Sequence, residues 1–266
     1  MRKRSEKGAA FLIALGGLAL ISALAASALT LTTAPAARAT AAIERAKAER
    51  TAEAAVHRIA VAFTRPEERA QAPRDGGVVA TNFQGAALTI SAQDALGLID
   101  INLASRETLV RLLIATGTDP ADAEIIAEAW TEGRPTNGRR GFTALEDVLS
   151  ATPPGFESSA KAALTHATVW SGEPGVDPTT ATAPALAAAA DLPLNVAQSY
   201  VATRAFEGPL TPLPPEADLS SLRRSEGRVA RLSVRVETEG GGRAALTVVI
   251  ERTASPRIPI RFLSWR

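Results

Sequence analysis

The sequence predicts an α+β protein in which a long amino-terminal helix packs on a small antiparallel sheet, with a large all-α insert between the two. Three observations carry this expectation. An uncharged apolar run over Gly8 to Ala37 continues past Arg38 into an amphipathic helical pattern. Between residues 99 and 207 the chain is punctuated by helix caps and helix stops. After the proline-rich stretch at 208–215 the apolar period changes from helical to alternating.

The first element begins with Arg2, Lys3, Arg4 and Lys7 against Glu6. The apolar run comes next, with Phe11, Leu12, Ile13, Leu15, Leu18, Leu20, Ile21 and Leu24 as its bulky members. As a helix, residues 9–33 span roughly 37 Å at about 1.5 Å per residue, enough for a hydrocarbon core of about 30 Å. Basic residues on the amino side favour a cytoplasmic amino terminus with the remainder on the far side of the membrane. Three fates are open to such a run: removal after Ala26-Ser27-Ala28, retention as an uncut anchor, or an early cut between Gly8 and Ala9 where charge meets hydrophobicity. The helical pattern beyond Arg38 favours a retained helix. Ala39, Ala42, Ile43, Ala46, Ala52, Ala55, Val56, Ile59, Ala60 and Phe63 form a 3.6-residue stripe, and Glu44, Arg45, Lys47 and Arg50 take other faces. Pro35 is expected to kink this stalk, and His57 to be a solvated or capping polar residue on it.

In the middle region Ser105 caps a helix whose buried face is Leu109, Leu112 and Leu113, and Gly117 ends it. Asp119-Pro120 opens a second helix to about Trp130, and Thr143 is expected to cap a third. Asp100, Ala104 and Leu109 recur at one offset as Asp177, Ala181 and Leu186, so the region reads as two related modules. In the last third, Ala230, Leu232, Val234 and Val236 alternate with Arg231, Ser233, Arg235 and Glu237. Gly240-Gly241-Gly242 turns the chain, Leu246, Val248 and Ile250 mark the returning strand, and residues 258–266 offer an edge strand. An extended patch at 86–90 is expected to join them, giving three or four strands laid over the stalk.

Composition removes several function classes. Cysteine is absent, which excludes disulfides and thiolate chemistry, and with only His57 and His166 present a histidine-rich metal centre is not expected. Neither a Gly-x-Ser-x-Gly elbow nor a Gly-x4-Gly-Lys phosphate loop occurs, and the chain reads as a non-enzyme. Helix–turn–helix pairs suggest helix-hairpin-helix DNA binders. However, residues 100–150 carry nine acids and five arginines, and the first hairpin turn holds Asp119, Asp122 and Glu124. Phosphate would be repelled, so no nucleic acid is expected.

These elements in this order resemble the type II secretion minor pseudopilin K family (general secretion pathway protein K). The residues that carry the resemblance are Lys7-Gly8-Ala9-Ala10-Phe11-Leu12-Ile13, Ile99-Asp100-Ile101-Asn102-Leu103-Ala104-Ser105, Phe142-Thr143-Ala144-Leu145-Glu146-Asp147-Val148 and Ser171-Gly172-Glu173-Pro174-Gly175-Val176-Asp177, followed by closing strands with Trp265 near the end. The resemblance implies a leader of residues 1–8, cut after Gly8 by a prepilin peptidase that methylates Ala9. It implies a membrane and filament-core helix over 9–37, a pilin-like domain in two parts (38–98 and 208–266) and a helical insert at 99–207. It places the protein in the inner membrane, with a periplasmic head at the pseudopilus tip beside minor pseudopilins I, J and H. Most pilins carry Glu where this chain has Ile13; without that carboxylate a subunit gains no charge partner from one above it, which suits a topmost place. No cofactor is required. Calcium occurs in some family members; Asp218 and Glu226 stand near the late loop without ligand spacing. The alternative reading is a membrane-anchored envelope or adhesin protein of similar layout.

Overall fold

The computed structural model describes residues 5–71, 73–134 and 141–266; along the first helix side-chain surroundings are described at 15, 17–23 and from 37 onward, and not at 69–71. That helix, α1 (Ser5–Thr64), is continuous through Pro35. One residue without an N–H removes a single rung from a long ladder, which the remaining turns carry. A short α2 (Pro66–Gln71) comes next, and then β1 (Asp75–Phe83) and β2 (Ala86–Asp94) form a hairpin.

The helical region starts after a single 3-10 turn at Ala95–Gly97. Its elements are β3 (Ile99–Asp100), α3 (Arg106–Ala115), α4 (Pro120–Glu132), α5 (Leu145–Ser150), α6 (Glu157–Leu164), β4 (Ala167–Thr168), α7 (Ala183–Ala189) and α8 (Leu194–Glu207). β3 and β4 pair in parallel, joining the two ends of the first module. The chain then returns through β5 (Val229–Thr238), β6 (Arg243–Arg252) and β7 (Ile260–Trp265). The main sheet has five strands in the order β1-β2-β5-β6-β7, all neighbours antiparallel.

One apolar cluster joins α1 to the sheet: Ala48, Ala52, Ala55, Val56, Ala60 and Phe63 meet Leu88, Leu232, Val234, Val236, Val248 and Ile250. A second, larger cluster lies within the helices, around Ile101, Leu109, Leu113, Ile126, Trp130 and Leu186. The expected alternation on β5 is observed, with Ala230, Leu232, Val234 and Val236 facing α1. Val229, outside that alternation, is buried on the opposite face with Ala95, Val249, Trp170 and Leu263.

Three expectations are corrected. The sheet gains β1, whose residues 78–82 are exposed on an edge and so show no alternation to read. On the stalk, Ala39, Ala42, Ile43 and Ala46 are exposed, because the sheet reaches α1 only from about Glu44 onward and takes a face set by Ala48, Ala52 and Ala55. The third insert helix is capped one residue later than expected: Ala144 is its N-cap, and the Asp147 carboxylate reaches back to accept from the Ala144 N–H and from the Thr143 N–H and hydroxyl. His57 is exposed, and its ring also packs against Phe262 and Trp265, with centroids 5.4 and 5.5 Å away.

Candidate assembly stem and its junction with the head

Where its side chains are described, the amino-terminal part of α1 is not covered by the head. Leu15, Leu18, Leu20 and Ile21 are each more than half exposed, and at about 100° per residue they lie on different sides of the helix. An apolar rod whose backbone polar groups are satisfied internally suits lipid or neighbouring helices and is costly to leave in water. Gly8 and Ala9 fall within the helical backbone of α1. The side chains of Phe11, Leu12, Ile13 and Leu24 lie outside the described residues, as do those of Gly8 and Ala9. Among the described residues no helix is long and apolar enough to cross a membrane.

The stem enters the head at Glu44. The Thr238 hydroxyl at the end of β5 donates to Glu44 Oε2 at 2.6 Å, and the Gly242 N–H donates to Thr238 Oγ1 at 2.9 Å. The β5–β6 turn lies directly against the helix here. A Cβ on Gly242 would fall on the Glu44 carbonyl, and one on Gly240 would fall on its carboxylate. Gly241, between them, has φ +80° and open space around it. The three glycines therefore serve two purposes, close approach at 240 and 242 and a left-handed backbone at 241. Farther along, His57 of α1 joins Phe262 and Trp265 of β7, whose rings are 5.0 Å apart and edge-on.

The helical region repeats its local geometry as well as its sequence. The Ala104 N–H donates to the Asp100 carbonyl, and the Ala181 N–H to the Asp177 carbonyl, both at 2.8 Å. The Asp100 and Asp177 carboxylates each accept from the backbone two residues on, at Asn102 and Thr179. In both modules the first helix ends with the same wide turn: Thr118 N–H to Leu113 carbonyl and Leu192 N–H to Ala187 carbonyl, each at 3.0 Å, with positive φ at Gly117 and Asp191. α3 and α7 pack on each other, each paired with the next helix along the chain.

Buried carboxylates fasten this region to itself and to the sheet. Asp100 accepts from the Ser171 hydroxyl and the Gly172 N–H, both at 3.0 Å. Burial pushes its carboxyl above the ordinary range, against those donors and the Asn102 N–H. Asp94 accepts from the Ser225 hydroxyl at 2.7 Å and the Leu96 N–H at 3.0 Å, with Arg74 at 3.3 Å. Burial raises it as well. Arg204 of α8, 3% exposed, donates to the Pro178 carbonyl and faces Asp75 of β1 at 3.8 Å. On β6, Glu251 is held between Arg228 and Arg261. Burial alone would raise Glu251, but the two guanidinium groups keep its carboxyl below the ordinary range.

Among the described residues no three acidic or histidine side chains converge. Asp218 accepts from the Ser220 N–H and hydroxyl in a local turn, and Glu226 is exposed. The sequence singled out the stem residues, the repeated aspartates and the glycine turn. It missed Glu44, the Phe262–Trp265 pair and Arg204, although Arg204 was visible in principle as a cation on the Ala197–Tyr200 face of α8.

In structure the chain is similar to a chain of the GspK-GspI-GspJ complex from the enterotoxigenic Escherichia coli Type 2 Secretion System. The TM-score is 0.51 and the identity 13%, over 88% of this chain and 98% of that one. No family model matches the sequence, nor does any curated protein. The likeness is one of fold, and the fold of this chain is pseudopilin-like: a long helix on an antiparallel sheet, together with a helical body.

Proposed function

We propose that this protein is a minor pseudopilin of a type II secretion system, of the K kind, with a structural role and no catalysis. The observation that carries the reading is the combination of an uncovered apolar stem with a head of matching architecture over nearly the whole chain. In this reading a prepilin peptidase cuts after Gly8 and methylates Ala9. Residues 9–37 hold the subunit in the inner membrane and later pack among the stems of other pseudopilins, while the head stands in the periplasm. Pseudopilins I, J and H are its partners. The helical body, about as large as the sheet portion, packs on the sheet face turned away from α1, and in this reading its bulk blocks addition of a further subunit. Apolar Ile13 fits a subunit with none above it, since it offers no carboxylate to a neighbouring amino terminus.

Intact mass of the protein purified from membranes tests the processing step. A species beginning at methylated Ala9 supports the proposal, whereas a freely soluble species trimmed beyond Ala28 overturns it. Deleting residues 99–207 tests the role of the helical body. The expected result is intact membrane targeting with lost or reduced secretion; unchanged secretion would refute the tip assignment.

A further inference from the structure

The sheet face turned away from α1 carries a row of three hydroxyls on three adjacent strands. Ser233 of β5 is in register with Ser91 of β2 on one side and Thr247 of β6 on the other, and its hydroxyl lies 3.3 Å from that of Thr247. One position along the same face stands Arg231, on the central strand. The helical region closes over this row with Thr165, His166 and Thr182, leaving an open pocket of about 490 Å³.

The charges in this pocket do not balance. The Arg231 guanidinium donates to the Thr165 carbonyl at 2.9 Å, and among the described residues it has no carboxylate partner. Burial lowers its pKa, with no acidic group offsetting that effect. His166, whose Nδ1 lies 3.1 Å from the Thr182 hydroxyl, is lowered by burial and by the Arg231 charge. The acid on the pocket wall, Asp75, is engaged by Arg204 at 3.8 Å and by the Gly77 N–H at 3.0 Å. A half-buried cation beside a histidine and several hydroxyls, with the one acid on the wall turned to another guanidinium, costs free energy that a bound anion would return.

We propose that this pocket binds a tetrahedral oxyanion of the phosphate type, with Arg231 as its charge partner and the Ser91–Ser233–Thr247 row and His166 as additional donors. Five donor groups from two layers of the fold exceed what the two oxygens of a carboxylate accept, which favours the tetrahedral class. The site lies at the seam between sheet and helical body, so an anion there bridges the two. Anion binding at this seam is independent of the secretion role and does not require it.

The test is titration of the full-length chain in detergent micelles with inorganic phosphate, following the ring resonances of both histidines. Saturable movement of His166, with His57 unmoved as internal reference, is expected. Arg231→Met should weaken binding about tenfold or more, the paired Ser233→Ala/Thr247→Ala change should weaken it several-fold, and Arg235→Met should leave it unchanged. The double alanine variant keeps the test open if Arg231→Met fails to fold. Absence of saturation, undiminished binding in both site variants, or equally tight binding of acetate overturns the proposal.

Discussion

Gly240 and Gly242 differ from Gly241 in what stands beside them, and substitution should separate the two requirements. Gly241→Ala has room but must hold a positive φ, at a cost of about 1 kcal/mol. Gly242→Ala must displace the backbone of the stem at Glu44, and overpacking of this kind costs roughly 1–3 kcal/mol, the upper part of that range being expected where backbone is the obstacle. Urea denaturation in micelles should therefore rank Gly242→Ala as the more damaging; equal losses would show that the turn does not press on the helix. His166 makes a prediction with a definite sign. Its folded-state pKa lies below the ordinary value of 6.5, so the unfolded chain takes up the proton more readily. The stabilisation from keeping the ring neutral is complete above 6.5 and is lost as the pH falls through the folded-state value. The denaturation midpoint should drop between about pH 7.5 and pH 5.5, and His166→Gln should flatten that dependence.

At the scale of elements, the caps and junctions decide how firmly the helical body is held. Ser105 accepts from the Thr108 N–H at 3.1 Å as N-cap of α3, and Ser105→Ala should cost about 1 kcal/mol of stability. Arg204→Met keeps the apolar stem of the side chain but removes its donors to the Pro178 carbonyl and Asp75. A loss of about 1.5–3 kcal/mol is expected, with faster amide exchange along β1. Exchange confined to α8 would locate the role of Arg204 within the helical body alone. The elements also differed in how legible they were. α3 and α4 could be read because Ser105, Asp119-Pro120 and Gly117 are local signals, and the structure uses each of them there. β1 could not, because an edge strand with two exposed faces leaves no period in its sequence. The Thr143 cap was misplaced because Thr143 and Asp147 both suit a helix start, and only the backbone decides which reaches the other.

For the whole molecule, two large apolar clusters share one chain. Both are rich in alanine: along α1 it lets the helix lie close to the strands, and among the insert helices it packs with larger side chains around Trp130. Their junction combines the small apolar cluster of Val229, Val249 and Trp170 with polar groups, Asp94, Gln93, Arg204 and the hydroxyl row, with Gln93 Nε2 donating to the Thr180 carbonyl at 2.9 Å. By itself the sequence determined the stem, its uncharged length, the repeated aspartate modules, the strand alternation after residue 228 and the absence of cysteine chemistry. Each of these is written in spacing over a few residues, where propensity and period act locally. Only the tertiary structure decided which face of α1 meets the sheet, that β1 completes it, and that Arg231 and His166 share one pocket. The contacts that hold the pocket and the junction, Arg231 with Thr165 and Gln93 with Thr180, join residues 66 and 87 positions apart, and no local pattern encodes a contact whose two halves are fixed by the packing of separate layers.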